Sequence, residues 1–172
     1  MRTMNRREML RLLAAAGSLL GLGAAAGCGG RGGDMMGGGM MGAATAGDMS
    51  TYMELFARHT ELRRRVEEIP GGVRTATESD APELVAQLQA HVASMYRHLN
   101  ANAEVTCMSD SLPTLFRNAA SYRRRMTTTP SGVVVTETSS DPELIRTIRE
   151  HAREVSGFVE RGMPAMMESM MR

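Results

Sequence analysis

Apolar residues recur at helical spacing in two stretches of the chain that lie sixty positions apart. Steps of four, three, four and three residues place each set on one helix face, which is the face that packs on a core. A Pro in the first turn, Pro82 or Pro142, and the Glu that follows it favour a helix start at each stretch. Each predicted helix therefore carries a His at the third position of its inward stripe. The two stripes consist of Leu84, Leu88, His91, Met95 and His98, and of Leu144, Ile148, His151, Val155 and Phe158.

The two stretches belong to a longer internal repeat. Residues 56–99 align with residues 116–159 at an offset of sixty without a gap, and twelve of the 44 aligned positions are identical. His91 and His151 form one of the identical pairs. The sequence therefore predicts one duplicated domain over residues 51–172, in which a pseudo-twofold axis relates these two His.

Each repeat is predicted to form a helix, a break, a short extended segment and a second helix. Apolar positions keep a helical spacing from Thr51 to Ile69, and Pro70 with the two Gly after it ends that helix. The second repeat has the same pattern, and its first helix is predicted to end near Thr128. The predicted fold class is mainly α: a pseudo-twofold four-helix bundle built from two helix–strand–helix repeats. A two-stranded β ribbon across the axis, resting on the helices, is expected from Val73–Glu78 and Val133–Thr138.

The amino end reads as an export signal. Over residues 1–27 a charged start precedes an apolar run that is too short to span a bilayer easily. Arg6 and Arg7 lie in a segment that resembles the twin-arginine export motif, and the residues up to Cys28 resemble a bacterial lipobox. The resemblance implies an exported protein of the cell envelope, in the periplasm or at the cell surface, anchored through acylated Cys28. Ordinary cleavage that leaves Cys28 unmodified is the alternative.

Composition and charge narrow the classes of partner. The chain carries 20 basic and 19 acidic side chains, so it has no basic footprint for nucleic acid. Two Arg triplets, residues 63–65 and 123–125, are interpreted as solvated helix ends paired with nearby Glu rather than as an anion site. Residues 28–50 are Gly-rich and predict a flexible tether. Its Met35, Met36, Met40 and Met41 are either soft-metal ligands or drift in an unconstrained linker.

The inward His suggest a binding site for copper or haem. His91 and Met95 are four residues apart and share a helix face, while His151 is expected opposite them. His59 falls on an inward stripe between Leu55 and Leu62. Imidazole nitrogen and thioether sulfur suit copper or haem iron, and helix bundles build such sites from facing helices. The alternative is a structural role, in which each buried ring is hydrogen-bonded to the backbone.

Further soft donors lie outside the predicted helices. Cys107 and Met108 are in the linker between the repeats, where a buried inert thiol is the alternative to a ligand. The Met-rich tail over residues 162–172 resembles Met-rich segments of bacterial copper-handling proteins, although its Met could equally cap an irregular core. Its candidate auxiliary ligands are Met163, Met166, Met167, Met170 and Met171.

No nucleophile motif, phosphate loop or carboxylate pair is present, so the protein is not expected to be an enzyme. The segments beginning at Ser139, His151 and Gly162 (SSDPEL, HAREVSGF and GMPAMM) resemble a family of exported bacterial proteins of unassigned function. That resemblance implies no activity and no site residues. The leading hypothesis is an envelope protein that binds copper or haem. The alternatives are a structural or partner-binding lipoprotein and an accessory subunit of an exported redox enzyme, whose protein partner the sequence does not identify.

Overall fold

The computed structural model of the chain describes residues 42–105 and 109–171. Within those ranges no helix combines the length and the apolarity that crossing a bilayer requires. Several predictions fall outside the described residues. They concern the export signal with Arg6 and Arg7, the lipidation of Cys28, the tether Met at 35, 36, 40 and 41, the pair Cys107 and Met108, and the side chain of Met170.

Both halves of the domain have the same order of elements: a helix, a β hairpin and a longer helix. A short 3-10 turn, His59–Glu61, joins the first helix to its hairpin. The first half comprises α1 (Ala46–Ala57), β1 (Arg63–Ile69), β2 (Gly72–Glu78) and α2 (Pro82–Asn100). The second half comprises α3 (Leu112–Arg117), β3 (Arg123–Thr129), β4 (Gly132–Thr138) and α4 (Pro142–Arg161), and α5 (Met163–Met170) follows.

The two hairpins form one antiparallel sheet with the strand order β1-β2-β4-β3. The inner strands pair so that Gly72 lies opposite Thr138 and Glu78 lies opposite Gly132. A Cβ atom at Gly72 would stand 1.9 Å from the carbonyl oxygen of Glu137, and one at Gly132 would stand 2.0 Å from that of Thr77. Glycine at these two equivalent positions lets the inner strands approach each other at both ends of their pairing.

The prediction of a mainly α four-helix bundle is wrong. The helix expected over Thr51–Ile69 ends at Ala57, and Arg63–Ile69 is a strand paired with β2. Likewise Arg123–Thr129, expected to be helical, pairs with β4. The few apolar residues of these Arg-rich segments fit the spacing of a helix and that of a strand equally well. Each segment forms a strand because it pairs with the next strand across a tight turn. The segments expected to form an isolated ribbon do pair, but as the inner strands of a four-stranded sheet.

The long helices α2 and α4 begin at Pro82 and Pro142, where the sequence predicts them, and both pack on the same face of the sheet. The side chain of Asp141 caps α4 by accepting a hydrogen bond of 2.8 Å from the backbone N–H of Glu143. The apolar stripes face the sheet as expected. Their fully buried members are Leu84, Leu88, Leu144 and Ile148, each of which contributes roughly 2 kcal/mol by leaving water.

Candidate functional site

A cavity of about 210 Å³ lies between the sheet and the two long helices. Its walls are mainly apolar, and include Leu88 and Val92 of α2, Val155 of α4, and Val133 and Val135 of β4. Both His of the repeated stripe, His91 and His151, line it. A mostly apolar pocket with a few polar groups directed into it is the usual form of a ligand site.

His91 has no hydrogen-bond partner in the part of the chain that the structure describes. Its Nδ1 atom is buried and unpaired. The edge of its ring meets Tyr52, with the ring centroids 5.0 Å apart and the planes at 86°. Burial lowers the pKa of His91 to about 4; the charge of Asp48 opposes this effect and that of His151 adds to it. The imidazole of His91 is therefore neutral at pH 7, and its buried nitrogen is free to bind a ligand.

His151 is held by a network on the opposite side of the cavity. Its Nδ1 atom is 3.0 Å from Oγ of Ser111 and 3.3 Å from Oγ of Ser109. Both hydroxyls donate to the carboxylate of Glu154, and the Ser111 bond is 2.6 Å long. Burial acts to raise the pKa of Glu154, but hydrogen bonds from His151, Ser109 and Ser111 outweigh it and lower the pKa to about 2. Glu154 is therefore ionised and can only accept.

The hydrogen bonds at Glu154 place a hydrogen on Nδ1 of His151. Each serine has a single hydroxyl hydrogen, and in both residues the carboxylate takes it. The serine oxygens then accept from Nδ1–H of His151, which leaves Nε2 as the ring nitrogen that can bind a metal ion. Among the described residues Nε2 of His151 makes no hydrogen bond. An imidazole oriented through one nitrogen by a carboxylate network, with the other nitrogen free, is the usual arrangement of a metal-binding His.

Met95 adds a thioether to the same cavity. It lies one helical turn after His91 on α2 and lines the cavity beside it. Its sulfur accepts a hydrogen bond of 3.3 Å from the hydroxyl of Tyr52, the residue whose ring contacts His91. The contacts with Tyr52 hold the His91 ring and the Met95 sulfur on one wall. The structure thus brings together three of the four primary candidate ligands.

The fourth candidate, His59, lies elsewhere. Its Nδ1 atom donates a hydrogen bond of 2.8 Å to the carbonyl oxygen of Val159, and the residue is not part of the described cavity wall. Its ring is packed so closely on Gly162 that a Cβ atom there would stand 2.3 Å from Cδ2 of the ring. His59 therefore links the 3-10 turn to the end of α4. His98 is also away from the cavity and pairs with Asp48 at 3.1 Å.

The Met-rich tail forms helix α5, and none of its described side chains lines the cavity. Met163 and Met166 are half-buried, whereas Met167 and Met171 are 56% and 79% exposed. Across residues 42–105 and 109–171, His, Cys, Asp and Glu nowhere form a group of three or more that could hold a metal ion. A metal in this part of the domain would have to use sulfur or fewer such ligands.

Two residues with ionisable side chains also line the cavity, and neither of them was predicted there from the sequence. Arg64 of β1 lines it, and Glu137 of β4, only 8% exposed, accepts a hydrogen bond of 3.2 Å from the hydroxyl of Tyr96. Nearby, the hydroxyl of Tyr122 is buried and has no hydrogen-bond partner among the described residues. Alternation along β4 was the available signal, since Val133, Val135 and Glu137 fall on one face of a strand. Arg64 gave no such signal because its segment fits a helix equally well.

Comparison with protein-family profiles, with curated proteins and with solved structures found no match.

Proposed function

We propose that this protein is an exported, lipid-anchored envelope protein that binds Cu(I) in its central cavity through His91, His151 and Met95. One observation supports the proposal above all others: two imidazoles at equivalent positions of the repeat line one apolar cavity, and each has a ring nitrogen without a hydrogen-bond partner among the described residues. A purely structural pair of His would be expected to have both rings hydrogen-bonded. His59 is not a member of the proposed ligand set, because its Nδ1 atom is hydrogen-bonded to the carbonyl oxygen of Val159 in α4.

The donor set favours a soft ion of low charge. Neutral imidazole and thioether ligands suit Cu(I), whereas harder divalent ions are more often held by carboxylates. A single positive charge also costs less to transfer into an apolar cavity than a double charge does. Glu154 supplies one negative charge behind His151, which offsets the charge of the bound ion.

The size of the cavity favours an ion over haem. Pockets for drug-sized molecules usually measure about 300–1,000 Å³, and haem is at the larger end of that range of ligands. The cavity here measures about 210 Å³. A single copper ion needs less space than this volume, whereas haem needs more.

The amino-terminal sequence supports a location in the cell envelope. Arg6, Arg7 and Cys28 have the spacing of a twin-arginine signal that ends at a lipidation site. Acylation at Cys28 would supply the two or more chains that stable membrane anchoring requires. The proposed role is to hold copper at the membrane rather than to catalyse a reaction.

The proposal is tested by anaerobic titration of the mature protein with Cu(I) against a chromophoric competitor such as bicinchoninate. One ion is expected in the cavity, and His91→Phe, His151→Phe or Met95→Leu should each weaken its binding roughly tenfold or more. His59→Asn and His98→Gln are the matched controls, since both rings lie away from the cavity. Unchanged affinity in both cavity His variants, or uptake of haem but not of Cu(I), would contradict the assignment.

A further inference from the structure

Arg64 is a cation inside the cavity without an anionic partner. Its guanidinium donates to the hydroxyl of Thr77 at 2.7 Å and to that of Ser156 at 3.4 Å. Among the described residues no carboxylate lies within 4.0 Å of it. Burial lowers the pKa of Arg64 to about 10, an effect that Glu137 partly opposes. The side chain is nevertheless charged at pH 7, and a half-buried charge that lines an apolar cavity is stabilised by a counter-ion.

Arg124, the equivalent arginine of the second repeat, has hydrogen-bond and aromatic partners for its guanidinium. Arg124 donates to the carbonyl of Ala119 and to the side chain of Asn100. Its guanidinium also lies over the rings of Tyr122 and Tyr96, at 4.6 and 5.9 Å from their centroids.

The two tyrosines that cover Arg124 have smaller counterparts beside Arg64. Sixty positions away from Tyr122 the chain has Leu62, and sixty positions away from Tyr96 it has Ser156. The first repeat therefore keeps the arginine but lacks both aromatic rings. This substitution leaves the guanidinium facing the cavity, which Leu62 also lines.

Glu137 favours the charged form of Arg64 from a distance but does not form an ion pair with it. In the sheet, Arg64 lies opposite Thr77 and Glu137 lies opposite Val73. Thr77 and Val73 are four residues apart on β2, which separates the two positions by about 13 Å along the strand. The cavity thus has a cationic end at Arg64 and an anionic end at Glu137, with apolar walls between them.

From these contacts we infer that Arg64 forms a second site at its own end of the cavity, which binds the carboxylate of a small organic acid whose hydrocarbon part lies against the apolar walls beside Arg64. The planar guanidinium matches a carboxylate in bidentate geometry. A single arginine in an apolar cavity suits a monoanion better than a phosphate dianion. The volume is sufficient, because a cavity of about 150 Å³ holds a benzene ring. The site uses none of the proposed copper ligands and does not require a bound metal.

Benzoate and hexanoate are the probes, with benzyl alcohol and hexan-1-ol as uncharged matches. Binding to the metal-free mature protein is measured by calorimetry and by ligand-observed NMR in the presence of a copper chelator. The acids should bind more tightly than the alcohols, and Arg64→Met should weaken benzoate at least about tenfold while leaving benzyl alcohol unchanged. Arg65→Met is the matched control, because Arg65 is the next residue of β1 and its side chain is 83% exposed.

Two further variants keep the test decisive. If Arg64→Met does not fold, Arg64→Lys retains the charge without the planar fork and should still weaken benzoate relative to the wild type. Arg64→Lys alters none of the proposed copper ligands and should leave the affinity for Cu(I) unchanged, so the failure of one proposal is distinguishable from the failure of the other. Acids that bind no better than the alcohols, or benzoate affinity unaffected by both Arg64 variants, would overturn the inference.

Discussion

Thr75 of β2 lies directly opposite Val135 of β4, the residue that occupies its own position in the second repeat. A residue can face its own counterpart only where the pseudo-twofold axis passes, so the axis runs through the centre of the sheet. The helices α2 and α4 pack on the same face of the sheet around this axis. The duplication therefore places two equivalent His, His91 and His151, around one cavity.

The free energy of unfolding should decrease as the pH is lowered from about 6.5 to about 4, because of His91. Burial lowers its pKa from 6.5 to about 4. In this window the unfolded chain binds a proton at His91 that the folded protein does not, so folding free energy is lost as the pH falls, at up to about 1.4 kcal/mol per pH unit. Urea unfolding of the wild type and of His91→Phe at pH 7 and pH 5 measures the effect. A pH dependence that is identical in the two proteins would show that His91 is not buried as a neutral base.

Glu154→Gln should weaken Cu(I) binding without removing a ligand. The amide no longer provides a charged acceptor for Ser109 and Ser111, so the hydroxyls cease to orient the Nδ1–H of His151. Loss of such a supporting carboxylate typically costs about 10–100-fold in metal affinity. Competition titration against Glu150→Gln, an exposed position on α4, isolates the effect. Equal affinities in the two variants would argue against a role for the network in metal binding.

Two glycines of the carboxyl-terminal half should respond in opposite ways to alanine. Gly162→Ala is expected to destabilise the fold by roughly 1–3 kcal/mol, because the residue has a φ of +60° and its Cβ would overlap the ring of His59. Gly157→Ala, inside α4 with no atom nearer than 3.6 Å to the new Cβ, should be stabilising by about 0.5–1 kcal/mol. Thermal unfolding measures both. If Gly162→Ala were as stable as the wild type, the packing of His59 on α4 would be wrong.

Asp48→Asn should cost about 2 kcal/mol, more than an exposed ion pair does. Asp48 accepts hydrogen bonds from the backbone N–H and the hydroxyl of Thr45, from the Ser94 hydroxyl at 2.6 Å and from His98 at 3.1 Å. Burial acts to raise its pKa, but these bonds outweigh it and hold the pKa below its usual value. Its stabilisation is therefore present above about pH 4 and is lost as the pH falls further.

The matched control for Asp48 is Asp80→Asn. The side chain of Asp80 is 86% exposed and pairs with Arg63, so its removal should change the free energy of unfolding by less than about 1 kcal/mol. Urea unfolding of both variants at pH 7 gives the comparison. Equal losses would mean that the Asp48 network does not anchor α1 to α2.

The helices of the site could be predicted from the sequence, but the sheet could only be predicted in part. Helices α2 and α4 are long and strongly periodic and start at a Pro, so period and capping agree. The segments Arg63–Ile69 and Arg123–Thr129 have too few apolar positions to distinguish the two periods. Their conformation depends on the neighbouring strands with which they pair, and local spacing does not contain that information.

The residues of the site could also be predicted only in part. His91, Met95 and His151 were predictable because an apolar helix face determines which way they point. Ser109, Ser111 and Glu154 were not, because they meet only when the loop before α3 packs on α4. The Met of the tail were candidate auxiliary ligands because thioethers suit copper, yet no described residue of α5 lines the cavity.

Copper K-edge X-ray absorption of the mature protein loaded with one equivalent of Cu(I) tests the ligand set directly. We predict scattering from two imidazoles and one sulfur, with one imidazole contribution lost in His91→Phe and one in His151→Phe. A spectrum with only sulfur neighbours, as exposed Met or Cys107 would give, or one unaffected by both substitutions, would contradict the account.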